Sequence, residues 1–290
     1  MTSRLALPRT LVASVALLAA AATVVPSPAS AALGTVGTVT TSTAADWTLG
    51  GQPCRLIEVP AAAPVGTGAC PGVRPGAVVT SDAGQCTFNF LFSGSDGHRY
   101  IGTAGHCILG ESPVGGDVGE ETWGGDGPVA RDGSGNQVGR FAYAILEDPK
   151  DFALIRLDAG VPADPQVCHF GGPTGVNADI SEETTVLHHF GNGVAVGDVL
   201  PARSAVAFGL PHPDHVYAGG AVVPGDSGSG IISSDGRALG VIVTTGLHSQ
   251  SIGFPVIDAG TMGVTRIAPQ VDRAETVLGI SLTLETAPQL

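Results

Sequence analysis

The near absence of helical periodicity after residue 85 is the strongest constraint on how this chain folds. From Gln85 onward the apolar residues fall into short β-type runs: Thr87–Phe92, Arg99–Gly102, Gln137–Leu146, Ala153–Leu157, Gly230–Ser233 and Leu239–Thr245, each bounded by Gly, Asp or Ser. β-branched and aromatic side chains fit a pleated, half-buried surface, and Gly, Asp and Ser supply the turn conformations between strands. Ser93-Gly94-Ser95-Asp96-Gly97 reads as a hairpin turn between the first two runs. Many short strands of this kind predict an all-β antiparallel sandwich or barrel. A helix is expected only near the end, over Ala268–Leu278, and no internal repeat is present. The chain has 43 Gly, 21 Pro and only 13% charged residues, a composition that argues against both disorder and coiled coil.

The first residues have a different texture. Arg4 and Arg9 precede an apolar run over Leu11–Val25, and Ala29-Ser30-Ala31 has the small-residue pattern of a signal-peptidase site. The run falls short of the roughly 20 apolar residues a spanning helix needs, and Pro26 and Pro28 follow it. Residues 1–31 therefore read as a secretion signal, leaving 290 − 31 = 259 residues that are secreted and free of the membrane. Removing the two signal arginines gives a net charge of 11 − 26 = −15, the wrong sign for a phosphate-binding surface, so nucleic acid is excluded as a partner. Residues 32–79, rich in Ala, Gly, Thr and Pro, read as a loosely ordered segment with one strand at Arg55–Val59, and 80–290 as the functional domain. The five cysteines, Cys54, Cys70, Cys86, Cys107 and Cys168, would sit in an oxidising compartment, and their odd number leaves one unpaired. None has the spacing of a zinc site, so they read as disulfide staples.

Three segments carry acyl-transfer chemistry: Thr103-Ala104-Gly105-His106-Cys107, Asp151-Phe152-Ala153-Leu154-Ile155-Arg156-Leu157, and Gly225-Asp226-Ser227-Gly228-Ser229-Gly230. A serine hydroxyl needs a histidine to take its proton, and the histidine needs a carboxylate to fix its tautomer and stabilise its charged form. Ser227, His106 and Asp151 supply those groups. The oxyanion that develops during attack needs preorganised donors, which the backbone N–H groups of Gly225 and Ser227 can provide. Gly225 permits the required backbone geometry, and Gly228 lets the chain pass close behind the nucleophile.

With these three motifs in the order His, Asp, Ser, the sequence resembles the trypsin and chymotrypsin-like serine proteases, more closely their secreted bacterial branch, over about Gly84–Ile267. The resemblance implies two six-stranded antiparallel Greek-key β-barrels with a C-terminal helix. It also implies a monomeric secreted endopeptidase without cofactor or metal, acting on protein or peptide substrates through an acyl-enzyme. It places a disulfide between Cys86 and Cys107, and suggests Cys70 or Cys54, with Cys70 favoured, as the partner of Cys168. The chain departs from the family pattern at Ser229-Gly230, where the family has Gly-Pro, and at Thr244-Thr245-Gly246, where it has Ser-x-Gly. On the resemblance, Thr244 would support the aspartate, while Thr244 and Gly246 would line the substrate strand. Ala221 would form the base of the primary specificity pocket and Gly246 and Gly253 would leave its walls open, which implies an apolar rather than basic P1 residue. No Arg-Ile-Val-Gly type junction precedes Gln85, so Asp226 needs an internal partner such as Arg140 or Arg203.

Other readings are weaker. His188-His189 and His212-Pro213-Asp214-His215 have zinc-ligand chemistry but not i, i+4 spacing; they lie in loop-like sequence and read as surface histidines. His98, His169 and His248 carry no motif, and the Asp-rich stretch from Asp96 to Asp132 lacks EF-hand spacing. Two alternatives to an endopeptidase stay open at this level: a barrel that has lost catalysis and serves as a binding or adhesion module, and an esterase using the same triad.

Overall fold

The structure is a computed structural model and describes residues 48–49, 52–53, 70–110, 119–147, 149–178, 186–193, 200–208, 212–245 and 260–290. The chain divides into two compact units, residues 1–57 and 58–290. In the first, β1 (Thr48–Leu49) pairs antiparallel with β2 (Gln52–Pro53). The strand expected at Arg55–Val59 lies outside the described residues.

The second unit opens with β3 (Val78–Ser81), β4 (Gly84–Thr87), β5 (Leu91–Gly94), β6 (Arg99–Thr103), the single-turn helix α1 (His106–Leu109), β7 (Gly119–Thr122), β8 (Val129–Asp132), β9 (Gln137–Glu147) and β10 (Lys150–Leu157). These strands pair antiparallel in the order β5-β6-β10-β9-β8-β3-β4, with β7 beside β9. The sheet curls on itself because β4 runs almost directly into β5. Between them, Phe88 N donates to Ala77 O (2.8 Å), Asn89 N to Gly102 O (2.8 Å) and Gly102 N to Phe90 O (3.0 Å), so residues 84–94 form one bent stave joining β3 to β6. Its interior holds Phe88, Phe90, Phe141, Tyr143, Phe152 and Ile155, all essentially inaccessible. β10 is buried along almost its whole length rather than on alternate residues, since one face fills the barrel and α1 and a later helix cover the other.

β11 (Val186–Phe190), β12 (Ala202–Phe208), β13 (His215–Gly219), β14 (Gly230–Ser233), β15 (Ala238–Thr245) and β16 (Thr261–Arg266) form a closed barrel in the order β11-β12-β13-β16-β15-β14. Its core is small and aliphatic, with Leu187, Ala205, Ile231, Ile242, Met262 and Val264. The helix α2 (Ile267–Leu278) follows, and β17 (Leu282–Leu284) returns to pair with β5. α2 buries Ile267, Gln270 and Ala274, an i, i+3, i+7 stripe, and Gly279 closes it at φ +67° with its N–H on Glu275 O. Pro269 is tolerated because first-turn amides have no intrahelical partner.

The helix and five of the six expected strands are present, while the sixth, Thr87–Phe92, falls across the bend between β4 and β5; the arrangement is chymotrypsin-like: all-β, with a closed six-stranded barrel, a second curled sheet and one C-terminal helix. The packed body starts earlier than the sequence suggests. Cys70 is bonded to Cys168, and Gly76 N donates to Phe88 O (2.9 Å), so residues 70–79 belong to it. Strands β11, β12, β13 and β16 were not evident in sequence: β12 and β13 turn Arg203, Ala205, Ala207 and Ala218 inward rather than bulky apolar groups, and β11 sets His189 beside Leu187. The reading of His188-His189 as surface loop is thereby corrected: both lie in β11, and His189 is 0% exposed.

Candidate active site

His106 begins α1, immediately after β6, and Asp151 is the second residue of β10, the neighbouring strand. Gly105 lets the histidine loop settle onto β9, since a Cβ there would collide with Ile145 O and lie 3.1 Å from Asp151 Oδ1. The Asp151 carboxylate spends both oxygens on one residue: Oδ1 accepts the His106 backbone N–H (2.9 Å) and Oδ2 faces His106 Nδ1 (2.7 Å). This fixes the ring and assigns the Nδ1 proton to the carboxylate, leaving Nε2 as the basic nitrogen. The two side chains are 13% and 11% exposed, dry enough to strengthen the pair while still reachable.

Ser227 lies in the turn between β13 and β14. Thr87 N donates to Ser227 O (2.8 Å) and Gly228 N to Ile242 O (2.8 Å). Gly228 has φ +88°, and a Cβ there would collide with Thr103 Oγ1 and Thr87 O and lie 3.0 Å from Ala104 N. The serine turn is therefore packed against the segment that leads into His106. Gly225, at φ +99°, occupies the left-handed region that glycine tolerates. Neither the Gly225 nor the Ser227 amide donates to a carbonyl among the described residues.

Asp226 is 0% exposed and holds this turn from beneath. Its Oδ2 accepts from Arg203 Nη1 (2.6 Å) and Val223 N (2.9 Å), and its Oδ1 from Arg203 Nη2 (2.5 Å) and Gly193 N (2.8 Å). Of the two arginines considered from sequence, Arg203 is the partner; Arg140 instead bonds Gly127 O (2.9 Å). Arg203 also binds Ala221 O (3.1 Å) and Gly191 O (3.2 Å). The two-residue period of β11 and β12 turns His189 and Arg203 inward with Leu187 and Ala205. Burial, together with the Arg203 charge, pushes the His189 imidazole down to about 3, so it stays neutral beside the ion pair.

The expected substrate-binding residues are only partly in view. Ala221 is an exposed residue whose carbonyl is held by Arg203. Thr244 Oγ1 stands over Gly263, its pairing partner in β16, and among the described residues no hydrogen bond joins it to Asp151. Gly246, Gly253 and His248 lie outside the described residues, as does Cys54. Both disulfides favoured from sequence, Cys86–Cys107 and Cys70–Cys168, are formed. Among the described residues, Cys86, His106 and Cys107 are the group close enough to hold a metal ion, but the disulfide occupies both sulfurs. Thr87 and Asn192, which knit the turn to the rest of the site, carry no motif that would mark them in sequence, and Thr103 opens the histidine segment without the motif showing that its hydroxyl binds Thr87 O.

No family model matches the sequence, and no curated protein does. Among solved structures, the chain is similar to Thermobifida fusca protease A (15% identity, 73% of this chain and 99% of that one, TM-score 0.47). It is also similar to Cellulomonas bogoriensis chymotrypsin (18%, 73% and 99%, TM-score 0.47) and to Nocardiopsis protease (16%, 73% and 98%, TM-score 0.46). These neighbours are serine proteases of chymotrypsin-like fold. The fold assignment for this chain rests on its own strand order.

Proposed function

We propose that the chain is a secreted serine endopeptidase that hydrolyses peptide bonds through an acyl-enzyme. The observation that carries the reading is the use of both Asp151 oxygens on His106, with the Ser227 turn packed against the same loop. In this reading Ser227 Oγ attacks the substrate carbonyl while His106 Nε2 takes its proton, and the Gly225 and Ser227 amides receive the oxyanion. His106 then returns the proton to the leaving amine, and water repeats the sequence to release the acyl group. Asp151 keeps the imidazole oriented and balances its transient charge. No cofactor takes part.

The absence of a carboxylate at Ala221 supports an apolar P1 residue. Secretion is supported by the Arg4, Leu11–Val25 and Ala29-Ser30-Ala31 pattern and by the two disulfides. The test is intact-mass analysis after incubation with a fluorophosphonate, beside Ser227→Ala. One adduct on the parent protein and none on the variant supports the reading, and a folded parent protein that takes no adduct refutes it. Rates on matched peptide amides and esters then separate a peptidase from an esterase.

A further inference from the structure

We propose that Thr87 is a positioning residue for the oxyanion-binding turn, acting through its side-chain hydroxyl; this rests on the hydrolase reading above. Thr87 ends β4, next to the disulfide-bonded Cys86, and is 0% exposed. Every polar group it has is turned toward the site. Its N–H donates to Ser227 O (2.8 Å), its hydroxyl donates to Gly225 O (2.9 Å) and accepts from Asn192 N (3.3 Å), and its carbonyl accepts from Thr103 Oγ1 (3.0 Å). One hydroxyl can donate once while accepting through its lone pairs, so these roles are compatible. Because threonine is stiff at χ1, the hydroxyl is held in place once the strand is formed.

The geometry makes this more than strand packing. Asp226 binds Gly193 N and Val223 N, gripping segments 191–193 and 223–227 from within the second barrel. The Thr87 hydroxyl binds Asn192 N and Gly225 O, gripping the same two segments from the first barrel. Gly225, at φ +99°, has the rotational freedom of glycine, and its N–H is one of the two oxyanion donors. Holding its carbonyl limits the rotation that would carry that N–H off target. Through its own carbonyl Thr87 also meets Thr103, three residues before His106, so the donor turn and the base share one anchor.

Thr87→Val keeps the shape and strand preference but removes the hydroxyl, Thr87→Ala removes it with less bulk, and Thr87→Ser restores it. The measurement is the second-order rate of fluorophosphonate labelling at Ser227, with kcat and KM on an apolar-P1 peptide amide. We expect each hydroxyl-free variant that folds to label about tenfold more slowly, about 1.4 kcal/mol in the barrier, with kcat reduced and KM unchanged. Thr87→Ser should label within about twofold of the parent, since one hydroxyl is worth the whole expected effect. A hydroxyl-free variant labelling at the parent rate overturns the proposal, and so does a Thr87→Ser variant as slow as Thr87→Val. Deuterium uptake at residues 224–228 tests the anchor without catalysis: it should rise in Thr87→Val, and unchanged uptake overturns the proposal. A parent protein that never labels refutes the hydrolase reading instead, leaving the exchange result to decide whether the anchor exists.

Discussion

Removing the Arg203 guanidinium should cost more than any other single change beneath the serine turn. Asp226 is fully buried and receives four hydrogen bonds, two from Arg203 and two from backbone amides. Arg203→Met leaves a carboxylate in a dry interior with only the Gly193 and Val223 amides, and strips donors from the carbonyls of Ala221 and Gly191. Breaking a buried pair by deleting one partner costs about 3–5 kcal/mol, a large share of the roughly 5–15 kcal/mol that holds a domain folded. Asp226→Asn in the same background removes the stranded charge and still offers an acceptor to one amide. The double variant should therefore be more stable than Arg203→Met alone, the signature of coupling in a double-mutant cycle. Urea unfolding at neutral pH gives the stabilities and fluorophosphonate labelling the competence of the turn. A loss under about 1 kcal/mol for Arg203→Met, or strict additivity in the cycle, would refute the assignment of Arg203 as the charge partner.

His189 titrates near its ordinary value when unfolded but at about 3 when folded. The unfolded chain thus binds more protons between those values, and this contribution to stability is lost as pH falls below 6.5. The stability drop from pH 7 to pH 5 should be smaller in His189→Leu than in the parent by about 2 kcal/mol, and equal drops in urea unfolding would show that the imidazole is not held neutral. Gly228→Ala forces a side chain into Thr103 Oγ1 and Thr87 O, and labelling of Ser227 should slow by about 100-fold, as expected of a misplaced nucleophile; parent-like labelling would show that the turn can move aside. Asp151→Asn keeps the packing but cannot hold the Nδ1–H tautomer, so turnover should fall by roughly three orders of magnitude or more, and near-normal kcat would remove Asp151 from the mechanism.

How much was legible in the sequence follows from how local each determinant is. The candidate residues His106 and Ser227 could be read because each sits in a short segment whose neighbours serve it directly: Gly105 opens the way for His106, and Gly225 and Gly228 shape the turn around Ser227. The central strands of the first barrel, β6, β9 and β10, could be read because their interior is aromatic and aliphatic, whereas the short strands β3, β7, β8 and β17 could not. Most of the second barrel could not, since β12 fills its inward positions with Arg203, Ala205 and Ala207, and β11 with Leu187 and His189, leaving little contrast between faces. The Arg203–Asp226 pair was open to inference only as a need, because a buried carboxylate requires a cation and nothing in one sequence chooses among arginines. Thr244 was read from a position where the chain departs from the family pattern, and its hydroxyl lies beside Gly263, its pairing partner in β16.

Thr87 shows where sequence reasoning stops. A threonine beside a cysteine at a strand end has an adequate local explanation, since it suits a β-strand and needs only one partner for its hydroxyl. Its four contacts come from Thr103, Asn192, Gly225 and Ser227, up to 140 positions away along the chain in the case of Ser227, 227 − 87 = 140. What brings them together is closure of the first barrel through the 84–94 stave, which turns the end of β4 toward the serine turn while β6 delivers His106 beside it. The disulfide between Cys86 and Cys107 ties the residue before Thr87 to the residue after His106. The covalent link and the threonine anchor therefore act on one junction. Thr87→Val should lower activity even with that disulfide intact, because the covalent bond fixes the histidine loop relative to β4 but makes no contact with Gly225.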